Sequence, residues 1–171
     1  MSRWALVVAV AVAGLSACTG EEEPVAAGPS PPPPQVLLDA AQLPGGPWTA
    51  GTTGDTRWAD LDEALVPCGK RTIAPEDARV RFRVFESAGG ASVSEVVVSG
   101  TDVFQTFKRF YAECSSAGKV ESRPGPSNVV VRGDTTEIAV FTEDHLIVVS
   151  GPGDDLAAIG DAARAQAAKA G

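Results

Sequence analysis

The 171-residue chain has one histidine, His145, and three cysteines, Cys18, Cys68 and Cys114, none of them in a Cys-x-x-Cys pair. A single histidine excludes a two-histidine metal centre. The missing Cys-x-x-Cys removes the usual sign of a dithiol redox or zinc site. The longest uncharged apolar stretch, residues 4–14, falls short of the roughly 20 residues a membrane-spanning helix requires. There is no Gly-x-Ser-x-Gly elbow, and the acidic groups Asp60, Asp62 and Glu63, or Glu143 and Asp144, lack EF-hand spacing. Basic residues are also scarce. Fourteen Lys and Arg face 22 Asp and Glu, a formal charge of −8 that argues against nucleic acid as a partner.

The N-terminus is more informative. Met1-Ser2-Arg3 carries positive charge, an Ala- and Val-rich run follows, and Leu15-Ser16-Ala17-Cys18 closes the segment. The run suits a secretory h-region. The four closing residues resemble the bacterial lipobox: a branched apolar residue, two small ones and the cysteine that receives lipid. The resemblance implies that residues 1–17 are a signal peptide and that Cys18 is lipidated. The protein is then expected at the cell membrane, anchored by lipid on its extracytoplasmic face. Two acyl chains give stable anchoring where one does not. Loss of Arg3 leaves 13 Lys and Arg against 22 Asp and Glu, a mature charge of −9. Residues 18–35 contain Glu21-Glu22-Glu23 and Pro31-Pro32-Pro33-Pro34 and read as an extended, proline-rich tether.

Residues 36–171 suit one domain with one core. With Cys18 assigned to lipid, Cys68 and Cys114 remain as an even pair in an oxidising compartment, and a disulfide is expected. Chain entropy gives such a bridge a stabilisation of roughly 4 kcal/mol. Short helices are expected over 36–42 and 59–65, with a loop at 51–54. Strands over 78–85 and 91–99 form a hairpin around Gly89-Gly90. A helix follows, with Thr101 as N-cap and an apolar stripe of Val103, Phe104, Phe107, Phe110, Tyr111 and Cys114. Strands over 128–132, 136–141 and 145–150 then form a meander, and a helix spans 154–169. The order indicates an α+β fold: an antiparallel sheet of about five strands with packed helices and one disulfide.

Few residues announce chemistry. His145 follows Glu143 and Asp144 at a turn, where exposure is the default and catalysis is not expected. Gly151-Pro152-Gly153-Asp154-Asp155-Leu156 lies between a strand and a helix, as a phosphate loop would. Leu156 replaces the third glycine, however, and two aspartates repel phosphate, so helix capping is the better reading. Arg79, Arg81 and Arg83 project along about 14 Å of one strand face. They are candidate ligands for an anion, with Trp48 and Trp58 as candidate neighbours. The alternative is a solvent face balanced by cross-strand acids such as Glu95.

The run Leu37-Leu38-Asp39-Ala40-Ala41-Gln42-Leu43-Pro44 precedes Trp48, and Cys68 follows a proline. The strand pair and a helix ending Phe110-Tyr111-Ala112-Glu113-Cys114 come next. In order and spacing this resembles the extracellular sensor-like domains of actinobacterial lipoproteins and PknH-like receptor serine/threonine kinases. The resemblance implies an antiparallel sheet with packed helices, a helix cysteine bridged to an upstream one, and a cleft for a small ligand; it brings no catalytic residues. The chain departs from the kinase version in having one available cysteine pair instead of two and no kinase segment. The expectation is a non-enzymatic ligand-binding or sensor-like module with no cofactor or metal. Its partners would be the membrane, through its lipid, and a small anionic or envelope-derived ligand. The alternative is a partner-binding or envelope-organising lipoprotein without a small-molecule pocket.

Overall fold

A computed structural model describes residues 35–122, 127–132, 134–153 and 156–170. The expected signal peptide, Cys18, most of the expected tether and the expected cap at Asp154-Asp155 lie outside these residues. Seven described strands form one antiparallel sheet: β1 (Trp48–Arg57), β2 (Arg79–Ser87), β3 (Ser92–Ser99), β4 (Lys119–Ser122), β5 (Ser127–Arg132), β6 (Thr135–Phe141) and β7 (Leu146–Gly151). Their order across the sheet is β1-β2-β3-β7-β6-β5-β4. Two helices, α1 (Val103–Ser115) and α2 (Leu156–Ala167), complete the regular structure, and Cys68 is bonded to Cys114. The fold is α+β and antiparallel with one disulfide, as the sequence indicates. The sheet is wider than about five strands because β1 and β4 join its two edges.

A sheet buried on both faces needs apolar residues of both parities along its central strands. β3 and β7 supply them. Val96, Val98, Leu146 and Val148 pack with α1, Trp58 and Ile73 on one face, while Val93, Val97, Ile147 and Val149 pack with α2 on the other. Each hydrophobic cluster therefore has its own helix. Among the described residues, no helix is long and apolar enough to cross a membrane.

Several local readings change. The loop expected at 51–54 is part of β1. Gly54 lies opposite Phe82, and a Cβ there would come within 2.6 Å of the Phe82 ring, so this glycine permits a close side-chain approach instead of marking a turn. Residues 36–42 do not form a helix. Val36, Leu37 and Leu38 are all buried, which a helix lying on a sheet cannot achieve for three successive residues, and only Ala40–Gln42 forms a 3-10 turn. This segment is an extended strap across the α2 face. The helix expected over 59–65 is replaced by the short turns Trp58–Asp60 and Glu63–Leu65, because the Asp62 side chain accepts the Ala64 N–H at 2.9 Å and competes with helix continuation. Arg71 fastens this irregular stretch by donating to the Trp58 and Leu61 carbonyls.

The N-cap of α1 is Asp102, not Thr101: its carboxylate accepts the Gln105 N–H at 3.0 Å. The buried face of α1 consists of Val103, Thr106, Phe110 and Cys114. Two aromatics of the expected stripe point outward, Phe104 being 52% and Tyr111 47% exposed.

Candidate functional site

Register decides which arginines meet. In β1–β2 pairing, Arg79 lies opposite Arg57, Arg81 opposite Asp55 and Arg83 opposite Thr53. In β2–β3 pairing the same arginines face Ser99, Val97 and Glu95. The row shares its sheet face with Phe85, Val93 and Val97, and therefore with the strap.

At one end the row is closed. The Arg83 guanidinium donates to the Leu38 carbonyl at 2.5 Å and to Asp39 Oδ1 at 3.0 Å. Glu95, expected to be an exposed counter-charge, is completely buried because it shares the inward parity of Val93 and Val97. Its Oε2 accepts the Leu38 N–H at 2.9 Å, and its Oε1 has no hydrogen-bond partner among the described residues. Burial pushes its carboxyl up to about 7, against the lowering effect of the Leu38 N–H and the nearby Arg83 charge.

At the other end the row opens into a cleft of about 520 Å³. Arg57, Arg79, Arg81, Asp55, Asp60 and His145 line it, and Val36 of the strap forms part of its wall. Arg57 Nη2 lies 2.7 Å from Asp60 Oδ2, and Arg81 Nε lies 3.0 Å from Asp55 Oδ2. Arg79 has no ion pair or hydrogen bond to its side chain among the described residues. The cleft thus holds three guanidinium groups and two carboxylates, one positive charge in excess. His145 is half-buried here, not exposed. Its backbone N–H donates to Thr142 Oγ1 at 3.1 Å. Burial lowers the pKa of its ring below the ordinary 6.5, with Asp144 acting against this and Arg81 in the same direction. The imidazole is neutral at pH 7 and can offer one N–H to a bound group.

Arg79 and Arg81 are therefore brought together in the cleft, whereas Arg83 is sequestered by the strap. The tryptophans lie elsewhere. Trp48 borders a separate groove with Leu156 and Ile159, and its Nε1 donates to the Pro44 carbonyl at 2.9 Å. Trp58 is 1% exposed, with its Nε1 donating to the Arg71 carbonyl. Arg57 escaped the sequence reading because the middle of β1, 51–54, was read as a loop, which left Arg57 without a strand partner; Asp60 was read only as one of a group of neighbouring acids.

The disulfide lies on the α1 face. Cys68 adopts a left-handed backbone conformation, with φ of 45°, and its N–H is held by both oxygens of buried Glu137 at 2.8 and 3.0 Å. The donor atoms of Cys68, Cys114 and Glu137 cluster within 4.8 Å. With the sulfurs bonded to each other and the carboxylate engaged by a backbone N–H, the cluster acts as a structural clasp.

No family model and no curated protein matches the chain. Among solved structures it is similar to a GTP binding regulator from Thermotoga maritima, at 13% identity and a TM-score of 0.43, over 71% of this chain and 78% of that one.

Proposed function

We propose that this protein is a membrane-anchored, extracytoplasmic lipoprotein whose globular part binds an anionic ligand without catalysing its conversion. The lipobox-like Leu15-Ser16-Ala17-Cys18 supports the anchor, and the Cys68–Cys114 bridge fits an oxidising compartment. The observation that carries the binding reading is Arg79: a guanidinium with no partner among the described residues, in an open cleft, within a protein whose acids outnumber its bases. An unpaired arginine in a recess is suited to recognising an oxyanion.

Thermal melting of the mature protein in detergent, with a panel of organic anions and envelope fragments, tests this. A stabilising shift that is lost in Arg79→Ala is expected; no shift with any anion would overturn the binding reading. Mass spectrometry of the mature N-terminus tests the anchor, which fails if Cys18 is unmodified.

A second reading rests on α1. Phe104 and Tyr111 are exposed beside Lys108, whose ammonium lies 4.5 Å from the Phe104 ring centroid. An aromatic and cationic patch of this kind suits a protein partner. Crosslinking in cells that recovers one dominant protein, lost in Tyr111→Ala, would favour an envelope-organising role.

A further inference from the structure

We infer that the ligand of the arginine cleft is a phosphorylated polyol or sugar. This rests on the cleft being an anion site and names the class of anion. Three features of the cleft carry it.

The first is the rung formed by Arg57 and Arg79. These residues are direct partners in the β1–β2 register. Directly opposed strand residues have Cβ atoms about 5 Å apart, and like charges at that spacing oppose pairing. The neighbouring rung, Asp55 and Arg81, is internally neutral. Asp60 offsets Arg57 from one side, and Arg79 has no comparable acid among the described residues. The rung is therefore electrostatically incomplete on its cleft side. An anion held between the two guanidinium groups completes it.

The second is the shape of that anion. A planar carboxylate offers two oxygens and is satisfied by one guanidinium fork. A phosphate monoester offers three peripheral oxygens around a tetrahedral centre and can receive two forks from different directions, with an oxygen left for another donor. Arg79 supplies one fork, and Arg57, whose Nε and Nη2 both donate to Asp60 Oδ2, supplies its remaining Nη1/Nη2 edge. His145, lining the same cleft, supplies the additional N–H.

The third is the space beyond the phosphate. A cleft of about 520 Å³ exceeds what an isolated phosphate fills and lies within the range that holds a small organic molecule. Among the described residues no aromatic ring other than His145 lines it, which disfavours a stacked nucleobase. Among the described residues the apolar side chains lining it are Val36 and Val97, while Ser99 and the Oδ1 atoms of Asp55 and Asp60, whose Oδ2 atoms bond Arg81 and Arg57, remain as hydrogen-bond acceptors. Carboxylates and a hydroxyl facing a ligand body match one covered in hydroxyl groups. The phosphate meets the arginines, and the polyol meets the acids.

Such a ligand could be a free sugar phosphate or the repeating unit of a phosphate-linked envelope polymer, and the test separates them. Isothermal titration of the mature protein in detergent compares glycerol 3-phosphate, glucose 6-phosphate, inorganic phosphate, glucose, succinate and a glycerol-phosphate polymer. The phosphorylated polyols are expected to bind about tenfold more tightly than succinate or inorganic phosphate. Arg79→Ala should weaken them by about tenfold or more, and Arg79→Lys should restore only part of the loss, because an ammonium cannot form the fork. Arg79 is exposed, so neither variant is expected to perturb folding, and unchanged melting temperatures verify this. Binding of the polymer alone identifies a polymeric source, and equal binding of the monomers a free one; both support the inference. Succinate binding as tightly, with the same dependence on Arg79, would overturn the phosphate assignment and leave the anion site standing. Inorganic phosphate binding as tightly would overturn the polyol body. Absence of all binding, or binding indifferent to Arg79→Ala, would overturn the inference together with the anion site.

Discussion

Arg83 and Arg79 lie four residues apart on one face of β2, about 14 Å from each other, in opposite circumstances. Arg83 sits beneath the strap, bonded to the Leu38 carbonyl and Asp39 across from a buried glutamate. Arg79 sits where the strap no longer covers the sheet, across from another arginine. The alternation that produced both is identical, so residue type and spacing do not decide what an arginine does. What lies over the strand decides it. Coverage turns one guanidinium into part of the core's polar framework and leaves the other available to a ligand.

The contrast can be broken most forcefully at Glu95. Its carboxyl is raised to about 7 from an ordinary 4.5, so the folded state favours its neutral form. The associated stability is fully present below about pH 4.5 and is lost as pH rises through 7. The charge that acts on it is that of Arg83, which Asp39 of the strap bonds in turn; Arg81 lies one rung further along the same face of β2, and the buried residues of α2 carry no charge. In Glu95→Gln, the loss of stability between pH 5 and pH 8 should be smaller than in the parent by about 2 to 3 kcal/mol. Urea unfolding at the two pH values measures it, and parallel pH profiles would mean that Glu95 is solvated.

A smaller effect is expected from Arg83→Ala. It removes two hydrogen bonds to the strap and the positive charge nearest Glu95, a loss of about 2 kcal/mol at pH 8. The part due to the charge near Glu95 should vanish at pH 5, where Glu95 is neutral, and the part due to the two hydrogen bonds should remain. Hydrogen exchange at the Leu38 amide should accelerate in step, and an unchanged rate would show that the strap is held by its leucines alone. The smallest effect belongs to Arg79→Ala, whose stability should stay within about 0.5 kcal/mol of the parent at either pH. A larger loss in chemical unfolding would place Arg79 in the framework with Arg83 and erase the distinction between them.

Much of this architecture was legible in the chain. Alternation of Val80 and Phe82 with Arg79, Arg81 and Arg83 marks β2, the paired glycines mark the hairpin, and cysteine counting pairs Cys68 with Cys114. The failures share a cause: a residue's local habit was overridden by what packs against it. Gly54 reads as a turn residue until Phe82 lies over it. Leu37 and Leu38 suit a helix until a sheet surface is available to bury both. Glu95 reads as surface because acids on strands usually are. Its parity with Val93 and Val97 was the available signal, since a residue between two buried valines on one face is itself directed inward. The cleft was half legible. Its β2 arginines were visible, while Arg57 and His145 joined them only through register and strand order.

The Cys68–Cys114 bridge also determines how the domain would respond to a protease. The two cysteines enclose β2, β3 and the exposed Gly89-Gly90 tip between them. A cut at that tip would sever the chain without releasing either fragment, because each remains bound to the other through sulfur and through the sheet. The nicked molecule would migrate as one species until reduced and as two afterwards, with strand order intact across the break.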